Sequence, residues 1–384
     1  MTSEFEIEGF CDNRFKAVKE VFKSNFDNDL EVGASFAVTL NGKHVIDLWG
    51  GYANAAKTVR WKKDTIVNVY STTKVMTAIC IHMLVDRGLL DLDDPVAKYW
   101  PEFAQAGKES LPVKYLLSHT SGLAGWDKRF RAKKLYDWDL MVELLAAQRP
   151  WWEPGTKSGY HTSTFGYLLG ELIIRITKKT AGTFFREEVA NPLGADFYIG
   201  LPEEHDIRVA DLIPPPPVDL SAFGALDPKS IAMRSLTNPM IDVKMTKTRE
   251  WRNAEIPADN GHGNARSVSR ITAALACGGE LDGVRLLSEE TIKRSIEEQS
   301  YGTDLVLNVP IRFGLGWGLQ SKELPLGPNQ NVFFWGGYGG SVVIVDLDAK
   351  MSISYVMNKM NSSLTGDPRS EKLIEAVYNA LYNT

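Results

Sequence analysis

The sequence predicts an α/β (α+β) fold: an antiparallel sheet flanked by helices, with a mainly helical subdomain inserted. Three observations predict it. A helix and a hairpin signal stand at the front, strand-like runs with a closing helix stand at the back, and helical periodicity dominates the middle. Strands from both ends can complete one sheet, with the terminal helices covering a face. On this reading residues 1–70 and 261–384 form the sheet subdomain, 71–200 the helical subdomain, and 201–260 an irregular cap or pocket segment. A cleft between the two subdomains is a natural place for a ligand.

The elements follow in order. Residues 14–25 put Phe15, Val18, Val21 and Phe22 on one helical face. The runs 34–40 and 43–49 flank Asn41-Gly42, the strongest short hairpin signal, because both turn residues need positive φ. Thr65 to Tyr70 is strand-like, and residues 72–87 form a helical pattern stopped by Gly88. Helical stretches follow near 138–149 and 164–178. Residues 201–260 carry Pro214-Pro215-Pro216-Pro217 and little periodicity, as functional caps and loops do. A helix from Ala265 to Ala276 stops at Gly278-Gly279. Strand-like runs then recur at 312–320, 331–335, 341–345 and 352–357, the last two joined by a turn at 346–350. An amphipathic helix over about 369–382 closes the chain, with Leu373, Ile374, Val377 and Leu381 as its apolar side.

Composition excludes several classes. The 384 residues are 44% hydrophobic and 24% charged, an ordinary globular balance, with a formal net charge of -5 and no basic stretch that would mark a nucleic-acid partner. The three cysteines, Cys11, Cys80 and Cys277, are widely spaced and imply neither a disulfide framework nor a metal or redox site. The acidic start has no basic n-region or long apolar run, and the longest apolar stretch, near 78–85, falls far short of the ~20 residues that span a bilayer. A cytoplasmic protein without a membrane partner is the expectation.

Four segments could carry chemistry. In Ser71-Thr72-Thr73-Lys74 the serine and lysine lie one turn apart on one face of a helix start. Free N–H groups and positive partial charge there favour an alkoxide, and a lysine in a partly dry site can act as a base. Taken alone, the tetrad also fits a helix cap followed by a surface lysine. Tyr160-His161-Thr162 follows the turn Glu153-Pro154-Gly155 and precedes a helix. A tyrosine at a cleft mouth shuttles protons if nearby cations lower its pKa, although most tyrosines simply pack. Trp335-Gly336-Gly337-Tyr338-Gly339-Gly340-Ser341 lies between two strands. Glycines on an edge strand admit a substrate to the backbone, where an exposed N–H can stabilise an oxyanion, but on this stretch alone a plain Gly-rich hairpin turn fits better. Leu116 to Leu123, with Ser118-His119-Thr120-Ser121-Gly122 inside it, reads only as an apolar helix end and a polar turn.

Other motifs are missing. There is no G-x-S-x-G elbow, no H-E-x-x-H and no paired His/Cys spacing, so neither an α/β-hydrolase nucleophile nor a metal site is indicated. The histidines are scattered: His82 reads as a core residue, His44 and His205 as surface residues, and His262 as a cleft-lining or turn residue.

Together these segments resemble the serine β-lactamase and penicillin-binding-protein superfamily, and most of all its family VIII carboxylesterase branch, close to class C β-lactamases. The likeness runs from about residue 30 to the end and implies a β-lactamase-like fold. Ser71 to Lys74 matches the S-x-x-K motif in its strand-to-helix context. Tyr160 to Thr162 matches the tyrosine motif, with Thr162 where class C enzymes carry Asn. Leu116 to Leu123 is similar to a stretch that the superfamily carries between the two. The third motif departs: Trp335-Gly336-Gly337 replaces the Lys-Thr-Gly, or its His variant, of β-lactamases and peptidases. A Trp-Gly-Gly start is what the esterase branch tends to show, and it lacks a cation that would grip a substrate carboxylate.

The resemblance implies a serine hydrolase that cleaves carboxylic esters of short to medium acyl chains through an acyl-enzyme on Ser71, without a cofactor or metal. Lys74 and Tyr160 form the base pair, with the immediate base left open, and the N–H groups of Ser71 and Tyr338 form the oxyanion hole. Trp335, Gly336, Gly337, Trp126, Trp152, His161 and Thr162 are the expected substrate-binding residues. A β-lactamase, a D-amino-acid peptidase or an acyltransferase would use the same site. A non-enzymatic scaffold would have no reason to keep serine, lysine and tyrosine in these contexts.

Overall fold

The computed structural model describes residues 6–215, 227–362 and 366–382. Pro216 and Pro217 of the proline run lie outside the described residues. A nine-stranded antiparallel sheet runs in the order Glu8–Cys11, Lys43–Gly51, Gly33–Leu40, Met351–Met357, Val342–Asp346, Val332–Gly336, Gly318–Leu319, Pro310–Phe313, Ser300–Thr303. The front and back of the chain meet at its centre, where Val38 pairs with Ile353. The Asn41-Gly42 turn is as the sequence predicts: both residues have positive φ, 51° and 77°, and Leu40 pairs with Lys43.

The two faces of the sheet are built from different residues, because side chains alternate along each strand. Ser35, Ala37 and Thr39 lie across from Val356, Ser354 and Ser352 on one face. These small side chains admit the helix Ala265–Ala276, itself alanine-rich, and Thr272 Oγ1 meets Ser352 Oγ at 2.6 Å. That helix starts on a capping box between Asn264 and Ser267. The opposite face carries Phe36, Val38, Ile344, Ile353 and Tyr355 and is covered by the helices Lys16–Asp27 and Pro368–Tyr382. Tyr378 Oη of the last helix donates to Asp346 at 2.8 Å.

Between the sheet-forming ends lie the helices Thr73–Asp86, Trp138–Ala147 and Thr164–Thr177. The first is buried on every side from Thr73 to Leu84, as a helix at the centre of a large core must be. It packs against Thr164–Thr177, which ends with Lys178 in the left-handed conformation. No described helix is long and apolar enough to cross a membrane.

Three expectations are corrected. The run Thr65 to Tyr70 yields only the two-residue strand Val67–Asn68, paired with His262–Gly263, because Val69 N–H turns to Gly261 O and Tyr70 adopts a φ of 44°. The run Arg312 to Gln320 is two strands, broken where Gly314 N–H bonds back to Trp317 O. The first helix begins with a 3₁₀ turn, Asn13–Phe15, and extends to Asp27. Within 201–260 the described residues include the short helices Ile231–Thr237 and Arg249–Asn253, and Trp251, Ile256, Ala258 and Asn260 are buried.

Ile353 sits at the junction of the two chain ends and is fully buried. Ile353→Ala is expected to lower the unfolding free energy by about 2–5 kcal/mol, read from denaturant midpoints.

Candidate active site

Ser71 stands in the middle of a short 3₁₀ turn, Tyr70–Thr72, that feeds the helix Thr73–Asp86. The strained left-handed φ of Tyr70 turns the chain sharply just before the serine, a cost of about 1–3 kcal/mol that such sites carry when the surroundings hold it. The Tyr70 ring is held edge-on to Tyr338 at 5.6 Å. Thr73 Oγ1 donates to Tyr70 O and accepts from Gly261 N–H, which pins the turn to the next segment. Ser71 keeps 8% of its surface exposed against 1% for Lys74, so the hydroxyl can be reached while the amine behind it is shielded.

Lys74 Nζ donates to Ser71 Oγ at 2.9 Å, to Thr162 O at 2.6 Å and to Ala258 O at 3.1 Å. Asp259 Oδ1 lies 3.9 Å away. Burial penalises the charged form and pulls the lysine from its usual 10.5 down to about 8, with Asp259 pushing weakly back. The Asp259 carboxyl is itself raised by burial, and its Oδ2 has no hydrogen-bond partner among the described residues. An amine poised near neutrality and bonded to a serine hydroxyl can take its proton.

Tyr160 departs from expectation. Its hydroxyl pKa is raised, not lowered: burial dominates, and the contacts of the hydroxyl with Ser71 and Trp335 only partly offset it. The Lys74 amine sits beside it, with Nζ over the ring 4.8 Å from its centroid. Trp335 Nε1 donates to Tyr160 Oη at 3.3 Å. The tyrosine is thus held as a neutral hydroxyl. Its position is fixed by Asp304, whose Oδ1 accepts its backbone N–H at 3.0 Å, and by His119, whose ring meets it edge-on at 5.0 Å.

The Trp335 to Ser341 segment links the strands Val332–Gly336 and Val342–Asp346. It lies within the sheet rather than at its edge, but the pairing with Gly318–Leu319 stops at Phe334, so beyond that point no described strand pairs with that side of the backbone. Gly337 packs against Val69, where a β-carbon would overlap the carbonyl oxygen, so only glycine permits this approach. Among the described residues, none accepts a hydrogen bond from the backbone N–H of Ser71 or of Tyr338. Two such donors near a serine hydroxyl can stabilise a developing oxyanion.

Ser71, Lys74, Tyr160, Trp335, Gly337 and Tyr338 therefore come together, with Gly336 in the strand that delivers the turn. Other expected substrate contacts do not. His161 is fully buried, with Nε2 on Ser121 Oγ at 2.6 Å and Nδ1 on Gly159 O at 2.6 Å, so it braces the Tyr160 loop from behind. Trp126 is buried against Tyr167 with Nε1 bonded to Met141 O, and it borders a separate cavity of about 370 Å³ whose lining does not include Ser71. Trp152 packs on Gly159 and donates to Lys157 O at 2.9 Å, which supports the approach to Tyr160. The Thr162 side chain is taken by Ser235 Oγ at 3.0 Å, and its contribution is the carbonyl that holds Lys74.

Two histidine readings are corrected, and that of His82 holds. His262 is fully buried, with its backbone bridged to Tyr198, and does not line the cleft; His44 is half-buried on Ser269 Oγ at 3.0 Å. His82 is a core residue that donates to Leu315 O. Asp259, Asp304 and the Ala258 carbonyl were not singled out by the sequence. No spacing marks them, because each reaches the site from a loop distant in the chain.

The Lys74 amine is expected to titrate near 8 when followed by NMR of lysine-labelled protein. Asp259→Asn should move that midpoint lower, because the opposite charge that favours the ammonium is gone; a midpoint above 10 in either protein would contradict this electrostatic picture.

Known proteins resemble this chain along most of its length. A family model described as Beta-lactamase matches residues 22–376. The esterase/beta-lactamase LipL of Mycobacterium tuberculosis is 36% identical over 367 residues, covering 93% of this chain and 84% of that protein. The crystal structure of a family VIII carboxylesterase superposes with a TM-score of 0.91 at 41% identity, covering 98% of this chain and 100% of that one. A penicillin-binding-protein homologue from Caulobacter crescentus superposes with a TM-score of 0.90 at 40% identity, with the same coverage. With a matching family model over most of its length and full-length likeness to these proteins, the chain belongs to the beta-lactamase family.

Proposed function

We propose that this member of the beta-lactamase family is a serine hydrolase that cleaves uncharged carboxylic esters of short to medium acyl chains. Neutral Lys74 takes the proton of Ser71 as Oγ attacks the ester carbonyl. The N–H groups of Ser71 and Tyr338 receive the oxyanion, a contribution of about 3–4 kcal/mol per donor. The tetrahedral adduct collapses, the ester C–O bond breaks, and the neutral Tyr160 hydroxyl relays a proton from the Lys74 ammonium to the leaving alkoxide. Water then attacks the acyl-enzyme with Lys74 again as base, and Ser71 is restored.

One observation favours esters over β-lactams and peptide C-termini. Trp335 occupies the position where β-lactamases and peptidases present Lys or His, and its indole N–H points at Tyr160 Oη at 3.3 Å. A neutral donor turned toward the tyrosine offers no charge-assisted bond to a substrate carboxylate. The likeness to a family VIII carboxylesterase and to LipL supports the same reading.

The test is hydrolysis of p-nitrophenyl esters of increasing acyl length, beside nitrocefin, by wild type and Ser71→Ala. Ester turnover that exceeds nitrocefin turnover and falls by about 1,000-fold or more in the mutant is expected. Nitrocefin outrunning every ester would overturn the ester reading, and near-normal activity of Ser71→Ala would overturn the nucleophile. The pH profile of kcat/KM should rise through a limb near 8, since the free enzyme needs neutral Lys74. A limb above 10 would instead point to ionised Tyr160 as the base.

A further inference from the structure

On the terminal-helix side of the sheet lies a buried ion cluster that the proposed chemistry does not use. Arg369 is its hub. Nη1 donates to Glu31 Oε2 at 3.0 Å, to Lys359 O at 2.8 Å and to Leu30 O at 3.2 Å. Nε and Nη2 grip the Asp367 carboxylate, with Nη2 on Oδ2 at 2.6 Å. Tyr355 Oη donates to Glu31, and the guanidinium lies 5.7 Å from the Tyr355 ring centroid. All four side chains are buried. Clusters of this kind gain little stability over a well-packed apolar replacement, so stability alone does not account for it.

The cluster abuts the turn that carries Tyr338. Gly339 and Gly340 have φ of 98° and 123°, conformations open to glycine, and neither has a side chain to anchor the turn. Instead the Gly339 carbonyl is held from outside, by Arg369 Nη2 at 3.3 Å and by Asn361 N–H at 2.8 Å. Gly340 lies flush on Asp367, where a β-carbon would overlap Oδ2. The planar fork of arginine can hold Asp367, Glu31 and Gly339 at once in one fixed geometry, which a lysine ammonium cannot.

We propose that Arg369, clamped between Asp367 and Glu31, is a positioning residue that fixes the Gly339 carbonyl and thereby aims the Tyr338 backbone N–H at the developing oxyanion. This rests on the reading of Ser71 as the nucleophile of an ester hydrolase.

The test compares wild type, Arg369→Lys, Glu31→Gln and Ser71→Ala with a p-nitrophenyl ester; the first three are normalised to sites titrated by a fluorophosphonate, and Ser71→Ala, which has no titratable serine, to protein concentration. For Arg369→Lys, kcat per titrated site is expected to fall about 10-fold or more with KM within about two-fold, since a mis-aimed donor is missed only in the transition state. An alkylboronic acid, whose adduct on Ser71 carries an oxygen at the oxyanion position, should lose affinity by the same factor, while the carboxylate product should not. Glu31→Gln keeps an oxygen for Nη1 and weakens the clamp, so a smaller loss of the same kind, about three-fold, is expected; it decides the matter if Arg369→Lys does not fold. Fewer titratable sites with normal kcat per site would assign the cluster to folding and overturn the inference. Wild-type turnover that survives Ser71→Ala would overturn the underlying reading as well. Turnover that depends on Ser71 but is untouched by both cluster variants would overturn this inference alone.

Discussion

The ammonium of Lys74 is the constraint around which the site is arranged. A buried charge needs partners, and leaving one unmatched costs several kcal/mol. Lys74 finds them in three separate segments: Ser71 one turn back, Thr162 in the tyrosine loop, and Ala258 just before the helix Ala265–Ala276. Satisfying one cation thus fixes the nucleophile, the tyrosine and the floor of the site relative to one another. The same burial lowers its proton affinity toward neutrality. Structural and chemical roles share one cause.

The sheet supplies the other wall. Its inner face is small where the helix Ala265–Ala276 must come close, and aromatic at Phe333 and Trp335, where the strand passes over the helical region. The Gly-rich turn can then sit directly on Val69, one residue before the strained Tyr70. Neither the turn nor the strained residue would be stable by itself. Each is held by neighbours: the Tyr70 ring by Tyr338, and the turn by Ser341 O on one side and the Arg369 cluster on the other.

Trp335 is the residue on which the proposed ester preference turns. Its ring packs among His119, Tyr160 and Phe313, and its single N–H is directed at the tyrosine hydroxyl. The position keeps a donor to Tyr160 but carries no positive charge. Under the proposed ester hydrolysis, a neutral donor here leaves Tyr160 free to relay a proton and offers no charge-assisted bond to an anionic substrate group.

Much of this was legible in the sequence, for local reasons. Asn41-Gly42 dictates a hairpin because few other residue pairs adopt positive φ twice, and the alternating runs after residue 330 form strands where they should. Ser71 and Lys74 share a face because of helical spacing alone. Tyr160 and the Gly-rich turn could be tied to them only through resemblance. What the sequence could not decide depends on contacts between distant segments. The raised pKa of Tyr160, the interior placement of His161 and Trp126, and the approach of Asp259 to Lys74 all arise from burial by residues far away in the chain. Residue type and spacing determine which groups can do chemistry, but the desolvation and partners that set their protonation and reach exist only once the two ends of the chain have closed around the middle.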